Sequence, residues 1–147
     1  MNKQRMADER GTYREIEHTA DVGIEVTADN LPVLFASAGE ALYALIADPT
    51  TIQSREAINI SATGDNAEHL LHAWLCELLA LFNVQGFVGK HCEIARISDG
   101  QVQGQVSGEK LDLKRHHFHT EIKGVTYHDF KVWQDAGAWH ARVIFDV

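Results

Sequence analysis

Residues 138–147 read AWHARVIFDV, and the placement of this run decides the fold. As a strand it puts Trp139, Ala141, Val143, Phe145 and Val147 on one face, and His140, Arg142, Ile144 and Asp146 on the other. The first set is wholly apolar, so a central strand covered by helices is expected rather than a frayed tail. Such a strand would fix Asp146 beside Val147 and its main-chain carboxylate, two anionic groups on consecutive positions. Two readings stay open for Asp146: a charge that caps a sheet edge, or a ligand for a cation.

Working back along the chain, QDAGA (134–138) is a hairpin signal that joins this strand to the run before it. That run belongs to HTEIKGVTYHDFKVWQ (119–134), which is expected to be a strand, as are VGKHCEIARIS (88–98) and QVQGQVSG (101–108) around the Asp99-Gly100 turn. Two amphipathic helices precede these strands. One opens at Asp29 and Asn30 with Pro32 in its first turn and carries Leu34, Phe35, Ala38, Leu42, Leu45 and Ile46 inward; Pro49 stops it. The other turns Leu71, Trp74, Leu75, Leu78, Leu79 and Phe82 inward and stops at Gly86. EAINISAT (56–63) alternates as a strand between them, and TYREIEH (12–18) and GIEVTA (23–28) form a pair before them. The order predicts an α+β fold: one domain over residues 12–147 in which a largely antiparallel or mixed sheet is packed by the two helices, after a flexible polar leader over residues 1–11.

Composition narrows the class. A chain of 147 residues, 45% hydrophobic and 23% charged with 2 Pro, fits one soluble domain with a single core. No apolar run approaches the ~20 residues of a membrane helix, and residues 1–10 lack the apolar stretch of a signal peptide, so a cytoplasmic protein without membrane contact is expected. Cys76 and Cys92 have no metal-type spacing and read as reduced thiols. The formal net charge of −8 argues against tight nucleic-acid binding through a broad phosphate-neutralising face, although it leaves room for a local basic patch.

The sequence has no Walker A loop, strand-coupled GxGxxG, HExxH or GxSxG motif. In EHTADVG (17–23), polar residues interrupt the junction of two strands. That pattern fits either a self-satisfied turn or a site in which Asp21 ligates a cation and His18 orients it. His116, His117 and His119 suggest a metal at first sight, but strand alternation puts His116 on the opposite face from the other two. The better reading is a solvated histidine-rich edge, basic with Lys114 and Arg115. Lys123, among apolar neighbours, reads as a snorkelling edge residue or the partner of a site carboxylate. Glu68, His69 and His72 read as a solvated helix face, whereas Glu77 lies close to the apolar stripe and would need a partner if buried.

EHTADVGI, LLHAWLCELLALF, IKGVTYHDF and VIFDV, in that order and spacing, resemble the archease family, small activators of RtcB-type RNA ligases; the resemblance runs from about Tyr13 to Val147. It implies a non-catalytic partner of such a ligase that promotes guanylylation and multiple turnover in tRNA splicing and RNA repair. It also implies a divalent-cation site, calcium first with magnesium or manganese as alternatives, built from Asp21, Asp146 and Val147. Lys123 is the next residue with an implied role. Gly124 stands where the family usually has alanine, and Cys76 where asparagine commonly precedes the glutamate. The competing readings are a stand-alone metal-dependent phosphoesterase using His18 and Asp21, and a general chaperone-like modulator.

Overall fold

The structure, a computed structural model, describes residues 11–18 and 21–147. In chain order its elements are β1 (Thr12–His18), β2 (Asp21–Ala28), α1 (Leu31–Ile46), a 3-10 turn (Pro49–Thr51), β3 (Glu56–Thr63), α2 (Ala67–Gln85), β4 (Phe87–Ser98), β5 (Gln101–Lys110), β6 (Gly124–Val125), β7 (Lys131–Asp135) and β8 (Ala138–Asp146). The class is α+β, as the sequence predicts, and every strand pair is antiparallel. The strands divide between two sheets. Five of them run β1-β2-β8-β6 with β7 also on β8, and three run β3-β5-β4.

β8 is the hub of the larger sheet. One edge pairs with β2 over eight positions, from Asp21↔Asp146 to Ala28↔Trp139, and the other pairs with β6 and β7 in turn. Its alternation follows the sequence reading: Ala141, Val143 and Phe145 are fully buried in the core, joined by Ile24, Val26 and Ala28 from β2. Val147 ends the series at 43% exposed. Ile144 departs from the alternation, because it is fully buried on the outer face, where Gly23 leaves room for it beside Ile16.

α1 touches strands of both sheets as well as α2, and it is buried over most of its circumference, the mark of a helix inside a core. Asn30 caps its start by accepting the N–H of Val33. Gly39 lets α1 approach α2 and β4: a Cβ there would stand 2.7 Å from Leu78 Cδ1 and 2.9 Å from Cys92 Sγ. Two aromatic side chains satisfy their polar atoms on backbone, as burial requires: Trp74 Nε1 donates to the Phe35 carbonyl at 3.0 Å, and the Tyr43 hydroxyl donates to that of Leu78 at 2.6 Å. α2 begins on Asn66, which accepts from His69, and closes on Gly86 in the left-handed region. Both predicted hairpins form, with positive φ at Asp99-Gly100 and Ala136-Gly137.

The region 111–130 differs from the sequence reading. In place of one strand over 119–134, only Gly124–Val125 and Lys131–Asp135 are extended partners of β8. The chain turns between them, with Asp129 at positive φ. Further upstream, Phe118 makes an isolated bridge to Ala47, and the N–H of His119 donates to the Ile46 carbonyl, so this segment straps over the end of α1. Gly11, assigned to the leader from sequence, is buried and donates to Ser37 Oγ at 2.9 Å; residues 1–10 lie outside the described part.

Candidate functional site

The β2–β8 register places Asp21 and Asp146 directly opposite each other, and β6 places Gly124 opposite Asp146 on its other side. Directly paired residues project from the same face, so the two carboxylates share the outer face at one end of the sheet with Cβ atoms about 5 Å apart. Asp21 is half-buried and Asp146 exposed. A Cβ at Gly124 would lie 3.5 Å from Asp146 Oδ2, an ordinary contact, so this carboxylate leans over β6. The N–H of Lys123 donates to the Asp146 carbonyl at 2.8 Å, which fixes the backbone that carries it.

The next row along the sheet is the apolar bar Ile16–Gly23–Ile144, which walls the acidic end on its inner side. Beyond it Glu25 bridges two guanidinium groups, Arg14 on one side and Arg142 at 2.9 Å on the other. These cross-strand pairs keep β1, β2 and β8 in register near the carboxylates.

The other residues singled out from sequence fare differently. Lys123 is exposed, next to Asp146 through its backbone. In register β1 brings the backbone of His18 opposite Asp21, while its side chain and residues 19–20 lie outside the described part. Glu77 is exposed on α2, so it has no burial to offset. The histidine-rich edge is corrected at His116, which is buried: its Nδ1 accepts the N–H of Asp112 at 2.8 Å, leaving Nε2–H to donate to Glu109 Oε2 at 2.9 Å. His117 and His119 remain exposed. The solvated-face reading of α2 is corrected as well. Glu68 accepts the N–H of Val132 at 3.1 Å. His72 Nε2 donates to the Val125 carbonyl at 2.9 Å, and its ring stacks on Tyr127 with centroids 3.8 Å apart. Through these contacts α2 holds β6 and β7 against β8.

Sequence reasoning missed Glu109 altogether. It is buried, it accepts from Arg115 at 2.8 Å and from the N–H of Gln53 at 2.7 Å, and it pairs with Arg55 at 3.1 Å. Arg115 foremost, then Gln53 N–H and His116, hold its carboxyl down at about 2 against the desolvation that burial imposes. Only the break in alternation at Gly108-Glu109 could have signalled it.

Among the described residues, no three His, Cys, Asp or Glu side chains gather into a preformed metal cluster. The donors that the sheet end offers are two carboxylates and the main-chain oxygen of Val147, the Asp146 carbonyl being taken by the Lys123 N–H. This is the oxygen chemistry of Ca²⁺ or Mg²⁺, with water completing the shell, and not that of a closed zinc site. The residues present fit such an ion.

Fold and site together define a class, a small α+β domain in which an early hairpin and a strand distant in sequence share one sheet and meet at opposed carboxylates. The profile of the Archease protein family matches residues 13–147, and the chain belongs to that family. It is similar to the archease of Methanopyrus kandleri, 37% identical over 92% of this chain and 99% of that one, and to that of Pyrococcus furiosus, 33% identical over 92% and 98%. The solution structure of Methanobacterium thermoautotrophicum protein 1598 is similar at TM-score 0.78 and 25% identity, covering 92% of this chain and 98% of that one. The crystal structure of a Thermotoga maritima archease, described as a possible chaperone, shares the fold at TM-score 0.64 and 20% identity, over 91% and 96%. No described helix is long and apolar enough to cross a membrane.

Proposed function

We propose that this protein is a non-catalytic, cytoplasmic activator of an RtcB-type RNA ligase, promoting guanylylation and multiple turnover of the ligase in tRNA splicing and RNA repair. In this reading Asp21, Asp146 and a main-chain oxygen of Val147 hold a divalent cation, calcium first, and Lys123 flanks the site toward the ligase. The observation that carries it is the direct pairing of Asp21 with Asp146 across β2 and β8. Like charges placed directly opposite on a sheet are destabilising, and a cation between them offsets the repulsion. When bound, the ion would hold the two carboxylates together and present a fixed charge at the sheet end; the chain's own part is to set their spacing by strand register.

Addition of the protein to its cognate ligase under multiple-turnover conditions should raise the rate of RNA joining, and Asp21→Ala should abolish the gain while leaving the fold intact. Full stimulation by Asp21→Ala would remove this assignment of the site. General suppression of aggregation with no ligase stimulation would favour the chaperone reading. Turnover of phosphoesters without a partner would favour the hydrolase.

A further inference from the structure

We propose that the outer face of the five-stranded sheet, at the end away from Asp21 and Asp146, is a narrow binding site for a single-stranded nucleic-acid segment of two or three nucleotides. Strand register builds it from two adjacent rows. One row runs Arg14–Glu25–Arg142–Lys131 across β1, β2, β8 and β7, with three cations to one carboxylate in a chain whose net charge is −8. The other runs Thr27–His140–Trp133.

Glu25 cancels one of these three charges and orients the two guanidinium groups. It holds Arg14 on one oxygen and Arg142 on the other, so each guanidinium is fixed in place with donors left over, and Lys131 stands beside Arg142 with no carboxylate partner among the described residues. In the second row the Trp133 and His140 rings stack with centroids 5.2 Å apart and 19° between planes, and Thr27 Oγ1 pins His140 Nδ1 at 3.0 Å. Lys131 Nζ lies 5.1 Å from the Trp133 centroid, which links the two rows. Successive same-face rows are about 7 Å apart along a strand, a base-to-phosphate reach.

Stacking aromatics beside a short cationic track are the elements of sequence-tolerant single-strand recognition. A duplex keeps its bases stacked on each other and cannot use the ring pair. The overall negative charge keeps the site local and weak, no tighter than the range of about 10⁻⁴–10⁻⁶ M of ordinary non-specific nucleic-acid binding. The site does not depend on the ligase reading above.

The test uses the full chain and an end-labelled oligouridylate of about ten nucleotides, followed by fluorescence anisotropy at low salt. Binding is expected, falling with salt at a slope of about −1.4 to −2.1 on a log–log plot, as two or three phosphates require. Trp133→Ala should weaken it about tenfold. Lys131→Ala, an exposed site whose thermal unfolding should match the parent, should flatten the salt slope by about 0.7. The proposal is overturned if no binding occurs at low salt, if duplex RNA binds as well as the single strand, or if Lys131→Ala leaves the slope unchanged. Displacement of the oligonucleotide by polyglutamate at equal charge would also overturn it, identifying an acidic-protein docking face instead. Ligase stimulation plays no part in these readouts, so failure here leaves the ligase reading standing.

Discussion

Gly23 lies beneath Ile144: a Cβ on Gly23 would stand 2.7 Å from the Ile144 Cδ1, 2.9 Å from Ile16 Cγ1 and 2.9 Å from the Val143 carbonyl. One of those atoms is backbone, so repacking of the two isoleucines cannot relieve the clash. Gly23→Ala should therefore destabilise the fold by about 1–3 kcal/mol, read as a lower urea midpoint. It should also weaken cation binding, since the displaced bar walls the Asp21–Asp146 pair.

Asp146→Asn separates stability from binding. Without added metal it should be as stable as the parent or more stable by about 0.2–1 kcal/mol, because one of two directly opposed charges is gone. Calcium should raise the melting temperature of the parent and leave that of Asp146→Asn unmoved. An equal calcium shift in both proteins would refute a role for this carboxylate.

Gly124→Ala is the contrasting glycine. The added methyl would meet Asp146 Oδ2 at 3.5 Å without overlap. Stability and calcium response should stay within about 0.5 kcal/mol of the parent in thermal melts.

Glu109 gives the acid limit of the fold. Its folded value, about 2, lies below the ordinary 4.5, so its ionised form stabilises the native state. That contribution is complete above about 4.5 and is lost as pH falls toward 2. Glu109→Gln should cost about 1–3 kcal/mol at neutral pH, since Arg55 and Arg115 are partly exposed and recover some hydration. Urea midpoints measured between neutrality and acid should converge for parent and variant as pH falls.

His72→Ala should release β6 from α2, since it removes both the bond to the Val125 carbonyl and the Tyr127 stack. Hydrogen exchange should speed up at the amides of Lys123 and Thr126, which bond to β8. Unchanged protection there would mean β6 is held by β8 alone.

Much of this architecture was readable from periodicity. The 3.6-residue stripes of α1 and α2, the left-handed turns at Asp99-Gly100 and Ala136-Gly137, and the period-2 face of Ala141, Val143 and Phe145 all act through neighbours close in sequence. The carboxylate pair was readable only through the family resemblance, because nothing local to Asp21 tells it that Asp146 is its cross-strand partner. Where long-range contacts override local pattern, the sequence reading failed. The run 119–134 looks like one strand, yet only its middle, Gly124–Val125, and its last residues from Lys131 pair with β8, and Phe118 is drawn to Ala47. His116 looks like part of a polar edge, yet a buried Glu109 draws it inward. Glu68 and His72 look solvated until β6 and β7 arrive above them.

The position of β8 at the centre of the larger sheet also orders the folding reaction. Its pairing with β2 joins residues 117 positions apart at Glu25 and Arg142, whereas β4 and β5 meet across a two-residue turn. Closing so long a loop carries its entropy cost before any ladder bond is returned, which slows the step. Until it happens, β2 exposes both the apolar side chains of Ile24 and Val26 and a row of unpaired amides to any neighbouring chain. The acidic pair cannot exist before that closure, so a cation held there, as proposed, would bind only after it, and a metal-responsive signal would mark completion of the larger sheet.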